Sequence, residues 1–154
     1  MKYEIVNLAE KTVIGLSART NNTSPDMQQV IGGLWNRFFQ EGIYAKIPGK
    51  INEKALGIYT DYAGMEMDDY TLIVACETDG QGGIPEGTIR RTIPQGKYAK
   101  FIVTGDMSKS VSQFWEKLWE MNLPRSFESD FEEYQDDNME NAEIHIYIGL
   151  KTNE

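Results

Sequence analysis

A glutamate flanked by aromatic residues near the C-terminus is the part of this sequence best suited to chemistry. Residues 127–134 read FESDFEEY, and the side chains of a β-strand alternate between its two faces. One face would carry Glu128, Asp130, Glu132 and Tyr134, and the other would carry Phe127, Phe131 and Glu133. Burying the Glu132 carboxylate under aromatic rings without a partner would be costly. A bound organic cation would supply that partner, with about 0.5–2 kcal/mol of cation–π attraction from each ring.

Further aromatic residues are candidates for the walls of the same site. Three tryptophans lie on apolar helical stripes, where core packing is the default role although a ring can also line a pocket. They are Trp35, Trp115 and Trp119. Four tyrosines come from strands that neighbour or correspond to the Glu132 strand, namely Tyr59, Tyr62, Tyr70 and Tyr147. We expect these residues, with Glu132 and Tyr134, to be candidates for ligand contact.

Other kinds of site are not expected. The chain has one cysteine, Cys76, and one histidine, His145, so neither an internal disulfide nor a transition-metal site is predicted. The glycine-rich segment DGQGGIPEG lacks the Gly-Lys-Ser/Thr of a phosphate-binding loop, and Pro85 stands where the last glycine of a dinucleotide motif belongs. We therefore assign no catalytic residue, no metal and no cofactor.

Charge and composition restrict the class of partner. The 154 residues are 40% hydrophobic, which suits one domain spanning 1–154. The net charge of −9 argues against nucleic acid and favours a cationic or neutral partner. Much of this charge lies from Glu120 onward, where a solvated acidic face is the ordinary interpretation. The longest apolar run, LIVAC at 72–76, is far shorter than a membrane span, so a cytoplasmic protein without membrane contact is expected.

The order of the elements indicates an internal duplication. Apolar spacing predicts helices near 25–41 and 108–122, each preceded by one strand and followed by two. Asp26-Met27 and Leu34-Trp35 match Asp106-Met107 and Phe114-Trp115 at a common offset of 80 positions. The prediction is an α+β fold of two strand-helix-strand-strand units, about 1–79 and 88–154. Related by a pseudo-twofold, they would form a curved antiparallel sheet with two main helices and a cleft between the units.

Four segments in this order resemble the GyrI-like small-molecule-binding domain, the effector-binding module of AraC- and MerR-type activators that also occurs as standalone, integron-associated proteins. They are KTVIGLSARTNN, IGGLWNRFF, LGIYTDY and FEEYQDDNMENAEIHIYIGL. The resemblance implies a pocket for lipophilic, often cationic, compounds, with Glu132 as the pocket glutamate and Tyr134 as its aromatic companion. It also implies multidrug binding in the service of transcription regulation. The helix-turn-helix of the multidomain members has no counterpart here, so direct binding to DNA is not expected.

Two alternatives to ligand capture remain. Some proteins similar to this family hydrolyse strained electrophilic rings, and a buried glutamate beside a tyrosine is suited to activating water as a general base. The acidic C-terminal segment also permits a protein partner, as an inhibitor of a DNA-modifying enzyme would require. Glu132 itself has an ordinary alternative role as a solvated strand carboxylate.

Overall fold

The computed structural model describes residues 2–64, 68–136, 138 and 140–151. Residues 65–67, and Asp137 and Glu154 of the acidic segment, lie outside these ranges. Within them the fold is α+β, as predicted. The strands are β1 Glu4–Leu8, β2 Lys11–Thr20, β3 Ala55–Thr60, β4 Tyr70–Thr78, β5 Ile89–Ile93, β6 Gly96–Gly105, β7 Arg125–Tyr134 and β8 Ala142–Leu150. The helices are α1 Met27–Gln40, α2 Ile43–Lys46 and α3 Met107–Glu120.

The strand order of the sheet shows the duplication directly. The described residues form one antiparallel eight-stranded sheet in the order β1-β6-β8-β7-β3-β4-β2-β5. Exchanging β1 with β5, β2 with β6, β3 with β7 and β4 with β8 reproduces this order in reverse. The predicted pseudo-twofold is therefore confirmed. Each half also contains one edge strand outside the predicted unit, β1 or β5, which pairs with a strand of the opposite half.

The two main helices begin and end close to their predicted bounds. Both start directly after an aspartate, and the Asp106 side chain accepts a hydrogen bond from the Lys109 backbone N–H. Helix α1 begins at Met27 rather than at the predicted residue 25, because Pro25 and Asp26 form a turn before it. Its bounds are displaced by 80 positions from those of α3. The same displacement relates the buried pair Leu34 and Phe38 to Phe114 and Leu118.

The core lies on both faces of the sheet. On one face, α1 packs over a cluster that includes Leu16 and Val74, and α3 packs over a cluster that includes Phe101 and Ile146. The opposite face carries a third apolar cluster around Phe131, partly covered by residues of the edge strands β1 and β5. Both faces of the central strands are therefore buried, which is the condition that makes a polar side chain on β3 or β7 costly.

Strand β7 departs from regular alternation at its start. Its register with β8 shifts between Arg125 and Asp130, and Phe127 adopts a φ of 55° in the left-handed region. The prediction that Phe127 shares the face of Phe131 is not met, because the Phe127 ring instead contacts Tyr62 at 5.7 Å between ring centroids. Alternation is regular from Asp130 to Tyr134, where each residue opposes one residue of β3.

Candidate functional site

The Glu132 carboxylate lies on the helix-covered face of the central strand β7 and is almost completely buried, with 2% of the residue exposed. Three side chains donate hydrogen bonds to it. Tyr59 Oη and Trp115 Nε1 donate to Oε2 at 2.9 and 2.7 Å, and Tyr134 Oη donates to Oε1 at 2.7 Å. Strand β3, helix α3 and strand β7 each contribute one of these donors. The carboxylate is thus held in one place by three different elements.

The charge of Glu132 has no partner of opposite sign in the described part of the chain. None of the lysine or arginine nitrogens there lies within 4.0 Å of its carboxylate oxygens, and all three hydrogen-bond donors are neutral. Burial raises the pKa of Glu132 above its usual value, although the hydrogen bonds from Trp115, Tyr134 and Tyr59 oppose that shift. In its ionised form Glu132 is therefore a buried negative charge that no lysine or arginine of the described residues neutralises.

The pseudo-twofold axis passes through the pair formed by Gly57 of β3 and Glu132 of β7. These two residues are cross-strand partners, and each is followed two positions later by a tyrosine, Tyr59 or Tyr134, that donates to the same carboxylate. The glutamate at the centre of the site thus has glycine as its counterpart.

The tryptophans of the two helices obey the same symmetry. The Trp115 ring meets Tyr59 at 5.1 Å between centroids and 64°, and the Trp35 ring meets Tyr134 at 5.1 Å and 80°. Each half of the molecule therefore lays one tryptophan against the tyrosine of the other half. Both tryptophans are only half-buried, so the aromatic cluster around Glu132 reaches the surface at these two positions.

Gly57 leaves the space that the glutamate and one tryptophan occupy. A Cβ at this position would lie 3.1 Å from Glu132 Oε1 and 3.3 Å from Trp35 Cζ2. Sequence reasoning missed Gly57 because glycine has no functional group. The spacing of Gly57 to Tyr59 repeats that of Glu132 to Tyr134, and this was the available signal.

Three other predicted site residues lie farther out. The Tyr70 ring is 5.4 Å from Tyr59 and 6.0 Å from Tyr62, and burial together with Glu132 raises the pKa of Tyr70 to about 12. Tyr62 donates its hydroxyl to Asp130 Oδ2 at 2.6 Å. Trp119 is half-buried and follows Trp115 by one turn of α3. Ligand contact by any of these residues stays a prediction.

The structure does not bring Tyr147 to the cluster around Glu132. Tyr147 opposes Phe131, the immediate neighbour of Glu132, and therefore lies on the other face of the sheet. Its ring stacks on Phe131 with 4.7 Å between centroids and an interplanar angle of 18°. Tyr147 thus belongs to the apolar cluster of the opposite face.

A second buried carboxylate near Glu132 was not singled out from the sequence. Asp130 precedes Glu132 by two positions, so both lie on the same face of β7. Arg125 Nη2 donates to Asp130 Oδ2 at 2.7 Å. The sequence signal was weak, because Arg125 reaches Asp130 only through the irregular start of β7.

Comparison with known proteins shows the family to which the chain belongs. The sequence profile of the integron-associated effector binding proteins (Cass2) matches residues 4–150. The chain belongs to this family. A search of curated proteins finds no match. The resemblance predicted from the four sequence segments is confirmed, and the protein is an effector-binding domain whose family function is small-molecule binding.

Several solved protein structures share the fold of this chain. The integron cassette protein VCH_CASS2 from the mobile metagenome of Vibrio cholerae has a TM-score of 0.78 and 23% identity, over 97% of this chain and 95% of that one. SAV2435, solved bound to tetraphenylphosphonium, has a TM-score of 0.79 and 25% identity, over 98% and 94%. A Staphylococcus aureus MU50 protein described as a bacterial transcription regulation protein has a TM-score of 0.75 and 26% identity, over 99% of each chain.

The described residues of this effector-binding chain contain neither a metal-ligand cluster nor a helix suited to spanning a membrane. Its histidine, cysteine, aspartate and glutamate side chains form no group of three or more that is suited to a metal ion. None of its helices combines the length and the apolar character that crossing a bilayer requires.

Proposed function

We propose that the protein captures lipophilic cations, with the Glu132 carboxylate as counter-ion and the surrounding aromatic rings as walls. One observation supports the proposal. Glu132 is 2% exposed and accepts three hydrogen bonds from neutral donors, and no lysine or arginine nitrogen of the described residues lies within 4.0 Å of its carboxylate. Burying such a charge without a partner of opposite sign lowers stability. A bound cation would remove that cost.

The hydrogen bonds around Glu132 favour a cation that has no N–H groups of its own. Both carboxylate oxygens already accept bonds from Tyr59, Trp115 and Tyr134, so the site offers charge and aromatic faces more than free lone pairs. Quaternary phosphonium and ammonium ions need only charge and aromatic surface. Tetraphenylphosphonium, the ligand of the 25% identical SAV2435, has this chemistry.

The same geometry favours binding over hydrolysis. A general base must present a carboxylate oxygen to water within hydrogen-bond reach. In Glu132 both oxygens are occupied by protein donors, and the residue is buried. We therefore propose capture of the intact cation, for sensing or sequestration, as the activity of this site. Regulation of transcription through a protein partner would be the corresponding role of a sensor.

Access to the carboxylate requires movement of aromatic side chains. Trp35 and Trp115 are half-buried, and each rests edge-on against a tyrosine of the other half. Aromatic contacts of this kind are worth about 0.5–1.5 kcal/mol each. A ligand with several aromatic rings replaces them with contacts of its own. The rings would thus exclude water from the site before binding and contact the cation afterwards.

Affinity for tetraphenylphosphonium is expected to fall as pH is lowered through the pKa of Glu132. The cation binds the carboxylate form, so a proton competes with it, and burial places this competition above the usual pH range of a glutamate. One competing proton reduces affinity by about tenfold per pH unit below that pKa. The ligand has no titrating group, so the change reports the protein. Isothermal titration calorimetry at a series of pH values measures it.

Two observations would assign the pH dependence of affinity to Glu132: the tyrosines around it do not ionise in the same pH range, and the variant Glu132→Gln lacks the titrating group. Burial raises the pKa of Tyr59 and Tyr134, and raises that of Tyr70 to about 12, so these tyrosines stay neutral in the range tested. Glu132→Gln is expected to bind weakly with an affinity that no longer depends on pH. The same pH dependence in Glu132→Gln and wild type would show that another group is responsible.

A further inference from the structure

Asp130 is a second buried carboxylate beside the proposed cation site. It is 0% exposed and lies two residues before Glu132 on the same face of β7, which corresponds to a separation of about 7 Å along the strand. Asp130 Oδ2 accepts hydrogen bonds from Tyr62 Oη at 2.6 Å and Arg125 Nη2 at 2.7 Å. Asp130 Oδ1 accepts one from the Gly149 backbone N–H at 2.8 Å. Without Arg125 the site would contain two buried negative charges.

Arg125 is placed against Asp130 by the irregular start of β7. The register shift between Arg125 and Asp130 brings the two residues together although they are five positions apart. The guanidinium lies 4.2 Å from the centroid of the Phe127 ring, the residue with a φ of 55°. Arg125 is 7% exposed, and its Nε is buried without a hydrogen-bond partner among the described atoms. The Arg125 charge is compensated by Asp130, and removing either partner would leave an uncompensated buried charge.

One wall of tyrosines connects the two carboxylates. Tyr59 donates to Glu132 and Tyr62 donates to Asp130, and both rings contact Tyr70 at 5.4 and 6.0 Å. Tyr59 is also the cross-strand partner of Asp130. A cation resting on this wall is therefore close to both acids, so its affinity depends on their combined charge and on that of Arg125.

We propose that Arg125 limits the charge of the site to −1 by neutralising Asp130, and that the site thereby selects singly charged over doubly charged lipophilic cations. The inference rests on the proposed capture of cations at Glu132 and specifies which of them bind. A dication loses more hydration free energy than a monocation on entering the site, and Glu132 is the one uncompensated carboxylate that can offset this cost. Removing the Arg125 charge would turn the site into one suited to dications.

Two probes of the same shape test this selectivity. N-methyl-4-phenylpyridinium carries one charge and N,N′-dimethyl-4,4′-bipyridinium carries two on a similar two-ring frame. The quantity measured is the ratio of the dication's affinity to that of the monocation, by calorimetry or tryptophan fluorescence. Wild type is expected to prefer the monocation. Arg125→Gln is expected to shift the ratio towards the dication by about tenfold or more. The reason is that the variant leaves the full negative charge of Asp130 uncompensated, two residues from Glu132.

Two further variants complete the charge series. Asp130→Asn leaves Arg125 unpaired and is expected to lower the ratio below that of wild type. Arg125→Gln combined with Asp130→Asn restores the net charge of wild type and is expected to restore its ratio. If one single variant fails to fold, as judged by circular dichroism, the other single variant is compared with the double variant. If both fail, the wild-type ratio decides, because a preference for the dication overturns the inference.

The outcomes separate this inference from the proposed function. A wild-type preference for the monocation supports the inference when the dication-to-monocation ratios also fall in the order Arg125→Gln, then wild type and the double variant together, then Asp130→Asn. A wild type that prefers the dication, the same ratio in every folded single variant and wild type, or a double variant that departs from wild type overturns it while leaving cation capture in place. Wild type that binds neither probe nor tetraphenylphosphonium overturns both.

Discussion

Glu132→Gln is expected to weaken tetraphenylphosphonium binding by roughly 1.5–3 kcal/mol, the range for charge-assisted contacts, which is about 10- to 150-fold in dissociation constant. The substitution keeps the shape of the side chain and removes the charge that lies 2.7–2.9 Å from three neutral donors. Since no described cation neutralises Glu132, the ligand would lose its single close counter-ion. Calorimetric titration of both proteins under one buffer condition measures the difference.

The unliganded Glu132→Gln protein is expected to fold and to be at least as stable as wild type at neutral pH. Burial raises the pKa of Glu132 in the folded state, so the free energy of unfolding decreases as pH rises through that pKa. Glutamine removes this loss. Its amide oxygen can face Trp115 and Tyr59 while its NH₂ group faces the Tyr134 hydroxyl, which is able to accept a hydrogen bond. Chemical unfolding at two pH values checks this expectation.

Glu133→Gln is the matched control for the same chemical change. Glu133 is adjacent in sequence but opposes Leu56 on the other face of the sheet, where its carboxylate lies 3.8 Å from Lys54 Nζ. Its effect on cation affinity is expected to be small. Equal losses in the two variants would mean that the general acidic field of the protein attracts the ligand. No loss in Glu132→Gln would remove the assignment of the site.

Phe131→Ala is expected to lower the free energy of unfolding by about 3–5 kcal/mol, the usual cost of deleting a buried phenylalanine ring. Phe131 is 0% exposed, stacks on Tyr147 at 4.7 Å between centroids and meets Tyr98 edge-on at 5.8 Å. These contacts lie on the face of the sheet opposite Glu132. Replacing Phe131 is therefore expected to lower the free energy of unfolding, whereas replacing its neighbour Glu132 by glutamine is not. Urea unfolding monitored by tryptophan fluorescence measures the free energy of unfolding of both variants.

Phe39→Ala provides the comparison for this loss. Phe39 is on the outer side of α1 and 48% exposed. Because folding removes much less of its apolar area from water, Phe39→Ala is expected to lower the free energy of unfolding by less than about half as much as Phe131→Ala. A loss below about 1 kcal/mol for Phe131→Ala would contradict the account of the second apolar face, since even modest core truncations cost more.

The helices and the duplication were predictable because their signals are local. The apolar stripe of each helix and the aspartate before it can be recognised within one short segment, and comparing the two segments gives the offset of 80 positions. The edge strand β1 was missed because its five residues have a weak pattern and its partner β6 is distant in sequence, with Glu4 paired to Lys100 and Leu8 to Gly96. Long-range pairing of this kind leaves no trace in local composition.

The candidate site was only partly predictable for the same reason. Glu132 and Tyr134 were singled out by the FEEY pattern and the family resemblance, and alternation placed them correctly on one face. Tyr147 was assigned to the site through its strand, although the residue it opposes, Phe131, puts it on the other face. Gly57 and Arg125 depend on the pairing of β3 with β7 and on the bulge in β7. Neither feature is visible before the strands are paired.

Whether the site captures cations is tested by comparing the affinities of wild-type protein for tetraphenylphosphonium and for tetraphenylborate. The two ions have four phenyl rings and nearly the same shape but opposite charge, so hydrophobic burial and ring contacts are matched between them. Because the buried Glu132 carboxylate has no described counter-ion, the cation is expected to bind at least about 100-fold more tightly, a difference of about 2.7 kcal/mol. Equal affinities for the two ions would contradict the claim that this carboxylate is the counter-ion of a captured cation.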